Sequence, residues 1–348
     1  MQMKKEFTVK FRFLRIIGKI LLPILIIILP FLLIAFAISP KFFSRLVRLA
    51  FNAQFKVPPK EFLYTESVST ISDIRYGDIT SETFDLHLPA NKNGKCPLIV
   101  WAHGGAYVAG DKGYIAFFAR ILAHYGYAVA SLDYTLAPEA HYPNQIVQIG
   151  QAYEFLIHGN YPDKIYVDTN RIFFAGDSAG AQMVAQFALL QTNLVYRNTF
   201  INAHPSVLLP PVIPTSNLRG LLLYCGPFSL KEVQASPKRL LQFLFWQMAW
   251  GYFGKRRLSN LPALDEVDII SHLTATFPPS FIADGNTLTF TKHGKDLSLA
   301  LRRLGVPTTE MIFDDPAKKV YHEFQLDLAT PEARQALITA LAFLKKYQ

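Results

Sequence analysis

Gly176-Asp177-Ser178-Ala179-Gly180 lies between two apolar runs, and this arrangement decides the fold. The run RIFFA at residues 171–175 has the composition of a buried strand. The run AQMVAQFA at residues 181–188 has the composition of a helix. A strand, a sharp turn and a helix form a nucleophile elbow, in which the central serine is exposed above the sheet. We therefore predict that Ser178 is a nucleophile, flanked by glycines because the turn has no room for Cβ atoms.

A second apolar run, upstream of the first, leads into a glycine-containing loop. CPLIVWA at residues 96–102 predicts a buried strand, and HGGAYVAGD follows at residues 103–111. Acyl transfer builds negative charge on a carbonyl oxygen, and backbone N–H groups from such a loop stabilise that charge without reorganising. We expect the N–H of Ala179, the residue after the predicted nucleophile, to contribute to the same oxyanion hole.

The C-terminal part of the chain supplies a candidate general base. MIF at residues 311–313 predicts a last strand, and the loop after it contains His322 ahead of a final helix. An order of serine, then acid, then histidine along the chain differs from the order in trypsin-like and subtilisin-like hydrolases. We therefore predict that His322 is the base that activates Ser178.

Four motifs together resemble the hormone-sensitive-lipase-like branch of the α/β-hydrolase esterases. They are HGGAYVAGD at 103–111, DYTLAPE at 133–139, GDSAG at 176–180 and HEF at 322–324. The resemblance extends from about Leu86 to the last residue. It implies an α/β-hydrolase fold, with a mostly parallel, doubly wound sheet under a helical cap. It also implies cofactor-free hydrolysis of esters with short to medium acyl chains.

The resemblance also implies roles for individual residues of the oxyanion loop. In that family the second and third residues after the loop histidine usually supply the N–H groups, and here these residues are Gly105 and Ala106. His103 and Gly104 are then expected to support the loop.

One position departs from the family pattern. The family usually has its triad acid where this chain has Leu288. Asp284, at the end of a predicted strand, is the substitute that we predict, because the third member must orient the imidazole and stabilise its charged form. Alternatively, Asp284 only caps the turn before Gly285. Two further carboxylates follow the last predicted strand, Asp314 and Asp315.

Strand and helix patterns alternate between these motifs. Strands are predicted at 83–88, 128–133 and 218–224, and helices at 114–125 and 145–157. This alternation predicts an α/β fold with the active site at the carboxyl ends of parallel strands. Two stretches that do not fit the sheet, at about 41–70 and 229–277, are predicted to form the cap. A third, the proline-rich stretch 193–217, is predicted to be a loop.

The positive charge of the 348-residue chain is confined to its N-terminal part. The formal net charge is +9, but residues 1–60 contain eleven Lys and Arg and one acid, Glu6, so the other 288 residues carry −1. A near-neutral body excludes an extended basic groove, and we expect no nucleic-acid partner. The nine histidines lack the spacing of metal ligands, and no cofactor motif follows a strand, so we expect neither metal nor cofactor.

Residues 20–38 are uncharged and long enough to cross a bilayer. Six basic residues precede this span and three follow it closely, which favours a cytoplasmic N-terminus and an extracytoplasmic hydrolase. The predicted organisation is thus a basic segment and single-pass membrane anchor at 1–40, followed by the hydrolase domain at 41–348. Alternatively, the small residues around Phe36 mark a signal peptide cleaved near Ala37 and a secreted enzyme. A buried helix of the cap is the third alternative.

The sequence therefore predicts a serine carboxylesterase that uses Ser178, His322 and Asp284 on a small-molecule ester. Two alternatives remain open. An amidase or peptidase would use the same residues. A membrane-tethered binding protein that has lost catalysis is supported only by Leu288.

Overall fold

The computed structural model describes residues 38–52, 58–64, 66–234 and 239–348, together with Ile34 and Phe36. Among these residues, eight strands form one sheet. They are β1 (Val68–Arg75), β2 (Thr83–Pro89), β3 (Cys96–Ala102), β4 (Ala128–Leu132), β5 (Val167–Asp177), β6 (Leu218–Tyr224), β7 (Ser280–Asp284) and β8 (Thr308–Ile312). Their spatial order is β1-β2-β4-β3-β5-β6-β7-β8. The pairs β1/β2 and β2/β4 are antiparallel and the others are parallel, which confirms the predicted mostly parallel sheet.

Ten α-helices lie among the described residues. They are α1 (Pro40–Asn52), α2 (Ala116–His124), α3 (Asn144–His158), α4 (Ala179–Thr192), α5 (Leu194–Ala203), α6 (Leu230–Gln234), α7 (Arg239–Phe253), α8 (Pro262–Glu266), α9 (Thr291–Arg303) and α10 (Pro331–Tyr347). Helices cover both faces of the sheet, so its central strands are buried on both sides. In β3, Leu98 and Val100 contribute to one hydrophobic core, whereas Ile99 and Trp101 contribute to the other. This explains why the central strands are continuous apolar runs.

The topology brings the predicted site residues to one edge of the sheet. Strand β5 pairs in parallel with β3 and β6, so Gly176 lies opposite Ala102 and Leu223. The loops that follow β3, β5, β7 and β8 leave the sheet in the same direction. The predicted site residues lie in these four loops or, for Asp284 and Ala179, at the strand end and the helix start that border them.

The proline-rich stretch 193–217 is only partly the loop that we predicted. Its first part forms α5, and the Asn193 side chain accepts a hydrogen bond of 3.0 Å from the Tyr196 N–H at the start of that helix. The prolines all follow the last residue of α5, so they do not interrupt it. Similarly, β1 begins at Val68, so residues 68–70 of the predicted cap stretch belong to the sheet.

Helices α1 and α7 pack against each other in the two stretches predicted to form the cap. The Gln247 side chain donates a hydrogen bond of 2.9 Å to the Phe36 carbonyl, and the Phe36 and Phe243 rings lie 5.9 Å apart. Arg48 of α1 donates from Nε to the Val108 carbonyl at 2.7 Å and from Nη2 to the Ala137 carbonyl at 3.0 Å. The first helix is thereby attached to the loop at 103–111.

The predicted membrane span at 20–38 lies outside the described residues, apart from Ile34, Phe36 and Ile38. Within the described part of the chain, no helix combines the length and the apolar composition that crossing a bilayer requires. The anchor and the cleaved signal peptide both stay predictions.

Candidate active site

Ser178 is held in a strained turn between β5 and α4. Its backbone has φ 50° and ψ −119°, an unfavourable conformation for a residue with a Cβ atom. A hydrogen bond of 2.8 Å from the Ser178 N–H to the Tyr224 carbonyl fixes the turn. A Cβ atom at Gly180 would lie 2.0 Å from the Ala102 carbonyl oxygen, and one at Gly176 would lie 2.5 Å from the Gly180 carbonyl carbon. Close backbone approach therefore requires glycine at both positions.

His322 contacts Ser178, the predicted nucleophile, directly. Its Nε2 lies 2.8 Å from the Ser178 Oγ, within hydrogen-bonding distance. Burial lowers the pKa of His322 below its usual value, and the negative charge of Asp284 partly opposes this effect. A neutral imidazole is the form that accepts the serine proton, so the site favours the base form at neutral pH.

The acid side of the site differs from the prediction, because a hydroxyl lies between His322 and Asp284. Thr289 Oγ1 is 2.9 Å from His322 Nδ1 and donates a hydrogen bond of 2.5 Å to Asp284 Oδ1. Asp284 therefore lies one hydrogen bond further from the imidazole than we predicted. Thr289 was not identified in the sequence, although it directly follows Leu288, the position where the family acid usually lies.

The hydrogen-bond directions in this chain follow from Asp284. The Gly285 N–H also donates to Asp284 Oδ1, at 2.7 Å, and an ionised carboxylate only accepts. Thr289 must then donate to Asp284 and accept from the Nδ1–H of His322. This leaves Nε2 of His322 as the acceptor for Ser178. Burial raises the pKa of Asp284, whereas the Thr289 hydrogen bond and the His322 charge lower it.

The other positions considered for the triad acid do not contact His322. Leu288 is 79% exposed, with φ 52°, so its side chain faces solvent rather than His322. Asp314 accepts a hydrogen bond of 2.7 Å from Lys295 Nζ. Asp315 accepts one of 2.9 Å from the Ala317 N–H and is exposed.

The loop after β3 has the conformation expected of an oxyanion loop. Gly105, Ala106 and Tyr107 have φ values of 113°, 54° and 65°. A Cβ atom at Gly105 would lie 2.0 Å from the Ala109 carbonyl oxygen, so only glycine fits there. In the part of the chain that the structure describes, no acceptor is bound to the N–H groups of Gly105, Ala106 or Ala179. These three donors are available for a ligand.

His103 and Gly104, for which we predicted a supporting role in this loop, both form hydrogen bonds there. The Tyr134 hydroxyl donates a hydrogen bond of 2.8 Å to the His103 carbonyl, and the two rings stack with centroids 4.4 Å apart. His103 Nδ1 lies 2.6 Å from the Gly104 carbonyl oxygen. The Gly104 N–H donates a hydrogen bond of 2.9 Å to Asp177 Oδ2. The loop is thus attached to the turn that contains the nucleophile.

Three curated relatives show what the sequence is similar to. The isoprenylcysteine alpha-carbonyl methylesterase ICME of Arabidopsis thaliana is 33% identical over 130 residues, which are 37% of this chain and 30% of that protein. The acetyl esterase of Salmonella schwarzengrund is 30% identical over 115 residues, 33% of each protein. The chain thus matches about a third of the length of these two relatives. The kynurenine formamidase of Drosophila melanogaster is 23% identical over 249 residues, covering 70% of this chain and 73% of that protein.

Solved structures show the same fold. Esterase B from Lactobacillus Rhamnosis superposes with a TM-score of 0.68 at 21% identity, covering 86% of this chain and 90% of that one. A bacterial heroin esterase superposes with a TM-score of 0.64 at 18% identity, covering 90% and 93%. The fold is therefore the α/β-hydrolase fold. Residues 84–299 match the family described as BD-FAE. The chain belongs to this BD-FAE family, within the hormone-sensitive-lipase-like α/β hydrolases that its motifs resemble.

Proposed function

We propose that this chain is a serine carboxylesterase that cleaves small-molecule esters of short to medium acyl chains through an acyl-enzyme. The observation that carries the proposal is the 2.8 Å contact between Ser178 Oγ and His322 Nε2. The N–H groups of Gly105, Ala106 and Ala179, which have no acceptor among the described residues, complete the proposed site. A nucleophile, a base and an oxyanion hole within reach of one carbonyl are the parts that acyl transfer needs.

In the first step, Ser178 Oγ attacks the ester carbonyl carbon while His322 Nε2 takes the hydroxyl proton. Negative charge develops on the carbonyl oxygen, and the N–H groups of Gly105, Ala106 and Ala179 stabilise it. The tetrahedral species then collapses, and the C–O bond to the alcohol breaks. His322 Nε2 gives its proton to the departing oxygen, which leaves an acyl ester on Ser178.

In the second step, a water molecule replaces the alcohol. His322 Nε2 removes a proton from this water as its oxygen attacks the acyl carbon, and the same N–H groups hold the oxyanion. Collapse breaks the bond to Ser178 Oγ, which regains its proton from His322. The products are a carboxylic acid and the free enzyme.

Thr289 and Asp284 orient the base in both steps. By accepting from Nδ1–H, Thr289 Oγ1 fixes the tautomer in which Nε2 is unprotonated and faces Ser178. By accepting from Thr289, Asp284 keeps that hydroxyl in its accepting orientation and adds a negative charge near the imidazolium. This arrangement also argues against a binding protein that has lost catalysis, because Thr289 and Asp284 together replace the acid that the family usually has at position 288.

Amide hydrolysis is the second candidate function. The Drosophila melanogaster relative, which matches over 70% of this chain, is named a formamidase. The same nucleophile and base cleave amides when the leaving nitrogen is protonated in place of an alcohol oxygen.

The test is hydrolysis by the purified full-length chain. We expect turnover of p-nitrophenyl esters, compared as acetyl, butyryl, octanoyl and palmitoyl members, with faster turnover of the shorter ones. A matched series of p-nitroanilides measures amide cleavage. An alkyl fluorophosphonate should modify Ser178, detected by peptide mass spectrometry. Absence of both ester turnover and Ser178 labelling would refute the proposal, and preference for the anilides would favour the amidase.

A further inference from the structure

One buried carboxyl group, Asp177, and one largely buried one, Glu323, lie beside the proposed catalytic residues but have no part in the steps above. Asp177 precedes the nucleophile, and Glu323 follows the base. Asp177 Oδ1 accepts a hydrogen bond of 2.8 Å from Trp101 Nε1. Glu323 Oε2 accepts one of 2.7 Å from the Tyr114 hydroxyl, and its Oε1 lies 4.0 Å from His322 Nε2. Because they lie next to the reacting groups, we looked for an effect of these two carboxyl groups on the proposed reaction.

The two carboxyl groups meet behind Gly104 of the oxyanion loop. A Cβ atom at Gly104 would lie 2.4 Å from Asp177 Oδ2 and 2.6 Å from Glu323 Oε1, so both oxygens pack closely against the same side of Gly104. The Gly104 N–H is itself bound to Asp177 Oδ2. Two ionised carboxylates this close in a buried site repel strongly, and such pairs hold one proton between them.

No lysine or arginine offsets the charge of this pair within the described residues. The titratable groups that face it come from every neighbouring element. They are His103, Tyr114, Tyr134, Cys225 and His322, and Asp284 lies beyond them, next to Cys225 and His322. Burial raises the pKa of Tyr114, Tyr134 and Cys225 far above their usual values, so these three stay neutral when the pair titrates.

We propose that Asp177 and Glu323 share one proton and act as a singly charged positioning pair, which fixes Gly104 of the oxyanion loop and faces the imidazolium of His322. This inference rests on the proposed function. Because a neutral hydroxyl contacts Nδ1 of His322, the imidazolium formed during acyl transfer has no carboxylate in direct contact on that side. The carboxylate oxygen of Glu323 supplies a negative charge on the opposite side, 4.0 Å from Nε2.

The proton limits the pair to a single charge. Burial and then the charge of Glu323 raise the pKa of Asp177 to about 8, and burial raises the pKa of Glu323 as well. When the proton leaves, two negative charges repel across Gly104, and the loop that holds the oxyanion donors is displaced. Hydrolysis should therefore decline as the pair loses its proton.

The test is the pH dependence of kcat/KM on a soluble butyryl ester. For the wild type we expect a rise through the pKa of His322, below its ordinary value, and a fall with a midpoint near 8. Glu323→Gln should abolish that fall, because Asp177 then holds the only charge, and should lower the maximum roughly three- to tenfold. Glu323→Asp retains an ionisable pair and should restore the fall. An unchanged alkaline midpoint in Glu323→Gln would overturn the inference.

Glu266→Gln is the matched control. Glu266 is a largely buried glutamate whose Oε2 lies 3.0 Å from His204 Nε2, outside the site. Its replacement should leave the alkaline midpoint at the wild-type value. A shift as large as that of Glu323→Gln would mean that any loss of a buried carboxyl changes the profile, which would also overturn the inference.

A second measurement does not depend on hydrolysis. The folded pKa of the pair exceeds its unfolded value of about 4, so the unfolded state loses its proton first as the pH rises. Stability against urea should therefore decrease between about pH 4 and pH 8 in the wild type and decrease less in Glu323→Gln. If the chain hydrolyses no ester but shows this stability difference, the proposed function fails and the proton-sharing pair stands. Equal slopes would refute the pair.

Discussion

The turn at residues 176–180 and the loop at residues 284–291 contribute to the same site, but they position their side chains by different means. At the turn, the backbone around Gly176 and Gly180 packs too closely for a Cβ atom at either position, and this packing holds Ser178 in one conformation. In the loop, two side-chain hydrogen bonds connect Asp284 through Thr289 to His322 and so orient the imidazole. Backbone sterics therefore fix Ser178, the proposed nucleophile, whereas replaceable polar groups orient His322, the proposed base.

This difference teaches where the site tolerates change. A hydroxyl with an acid behind it can occupy the place of a carboxylate, because both accept from imidazole Nδ1–H. A serine at the turn has no such indirect replacement, because acyl transfer needs the nucleophilic atom itself at that position. Four sets of substitutions test this contrast, beginning with the largest expected effect.

Ser178→Ala and His322→Ala should each lower kcat for a butyryl ester by roughly 10⁴ to 10⁶, because nucleophile and base act as a unit. Steady-state kinetics with purified variants and active-site labelling measure the loss. The double variant should be no slower than either single one. A Ser178→Ala enzyme that kept a tenth of the wild-type rate would exclude Ser178 as the nucleophile.

Thr289→Val should lower kcat by roughly 10² to 10³, because the methyl group leaves the Nδ1–H of His322 without an acceptor. The imidazole can then adopt the tautomer with the proton on Nε2, which cannot accept the Ser178 proton. Thr289→Ser keeps the hydroxyl and should retain kcat within about fivefold. KM should change little in either variant, since neither residue contacts the ester in the proposed mechanism. Equal rates for Thr289→Val and Thr289→Ser would show that the hydroxyl is unimportant.

Asp284→Asn should lower kcat by about 10 to 10², less than the roughly 10⁴ expected where a carboxylate contacts the imidazole directly. The smaller effect follows because an amide oxygen still accepts from Thr289, so the tautomer is kept and only the charge is lost. Asp314→Asn and Asp315→Asn are matched controls on the protein surface and should stay within about twofold of wild type. A loss near 10⁴ for Asp284→Asn would instead indicate direct contact during turnover.

Leu288→Asp should leave kcat within about twofold of wild type, although it restores an acid at the position that the family usually uses. The side chain at 288 faces solvent, and aspartate tolerates the positive φ there better than leucine does. Comparison of Leu288→Asp with Thr289→Val, on the adjacent residue, shows whether the position of the family acid in the sequence or the observed contact with His322 determines the rate. Rescue of Thr289→Val by Leu288→Asp would show that the loop rearranges to present residue 288.

The sequence was most informative where local patterns determine the structure. The strand, turn and helix around Ser178 are continuous in the chain, and the apolar runs of β3 and β5 are buried on both faces of the sheet. The contact between Thr289 and His322 joins residues 33 positions apart through two irregular loops. Such a contact depends on how the loops fold, and no period or motif in either loop records it.

The same limit applies to charges that are distant in sequence. Asp177 and Glu323 each lie within a family motif, GDSAG and HEF, but only the folded chain brings their carboxyl groups together at Gly104. Helix α5 was obscured for a simpler reason, since the prolines that follow it dominate the composition of its stretch.

The hydrogen bonds of Arg48 have a consequence for how new specificities arise in this chain. One guanidinium holds the first helix of the cap to carbonyl groups at Val108 and Ala137. The helix in the predicted cap stretch and the loop predicted to supply the oxyanion donors are thereby attached to each other. If the proposed esterase function holds, we expect a substitution that reshapes this cap stretch for a longer acyl group to shift those donors as well, so that acyl preference and the rate of the chemical step change together.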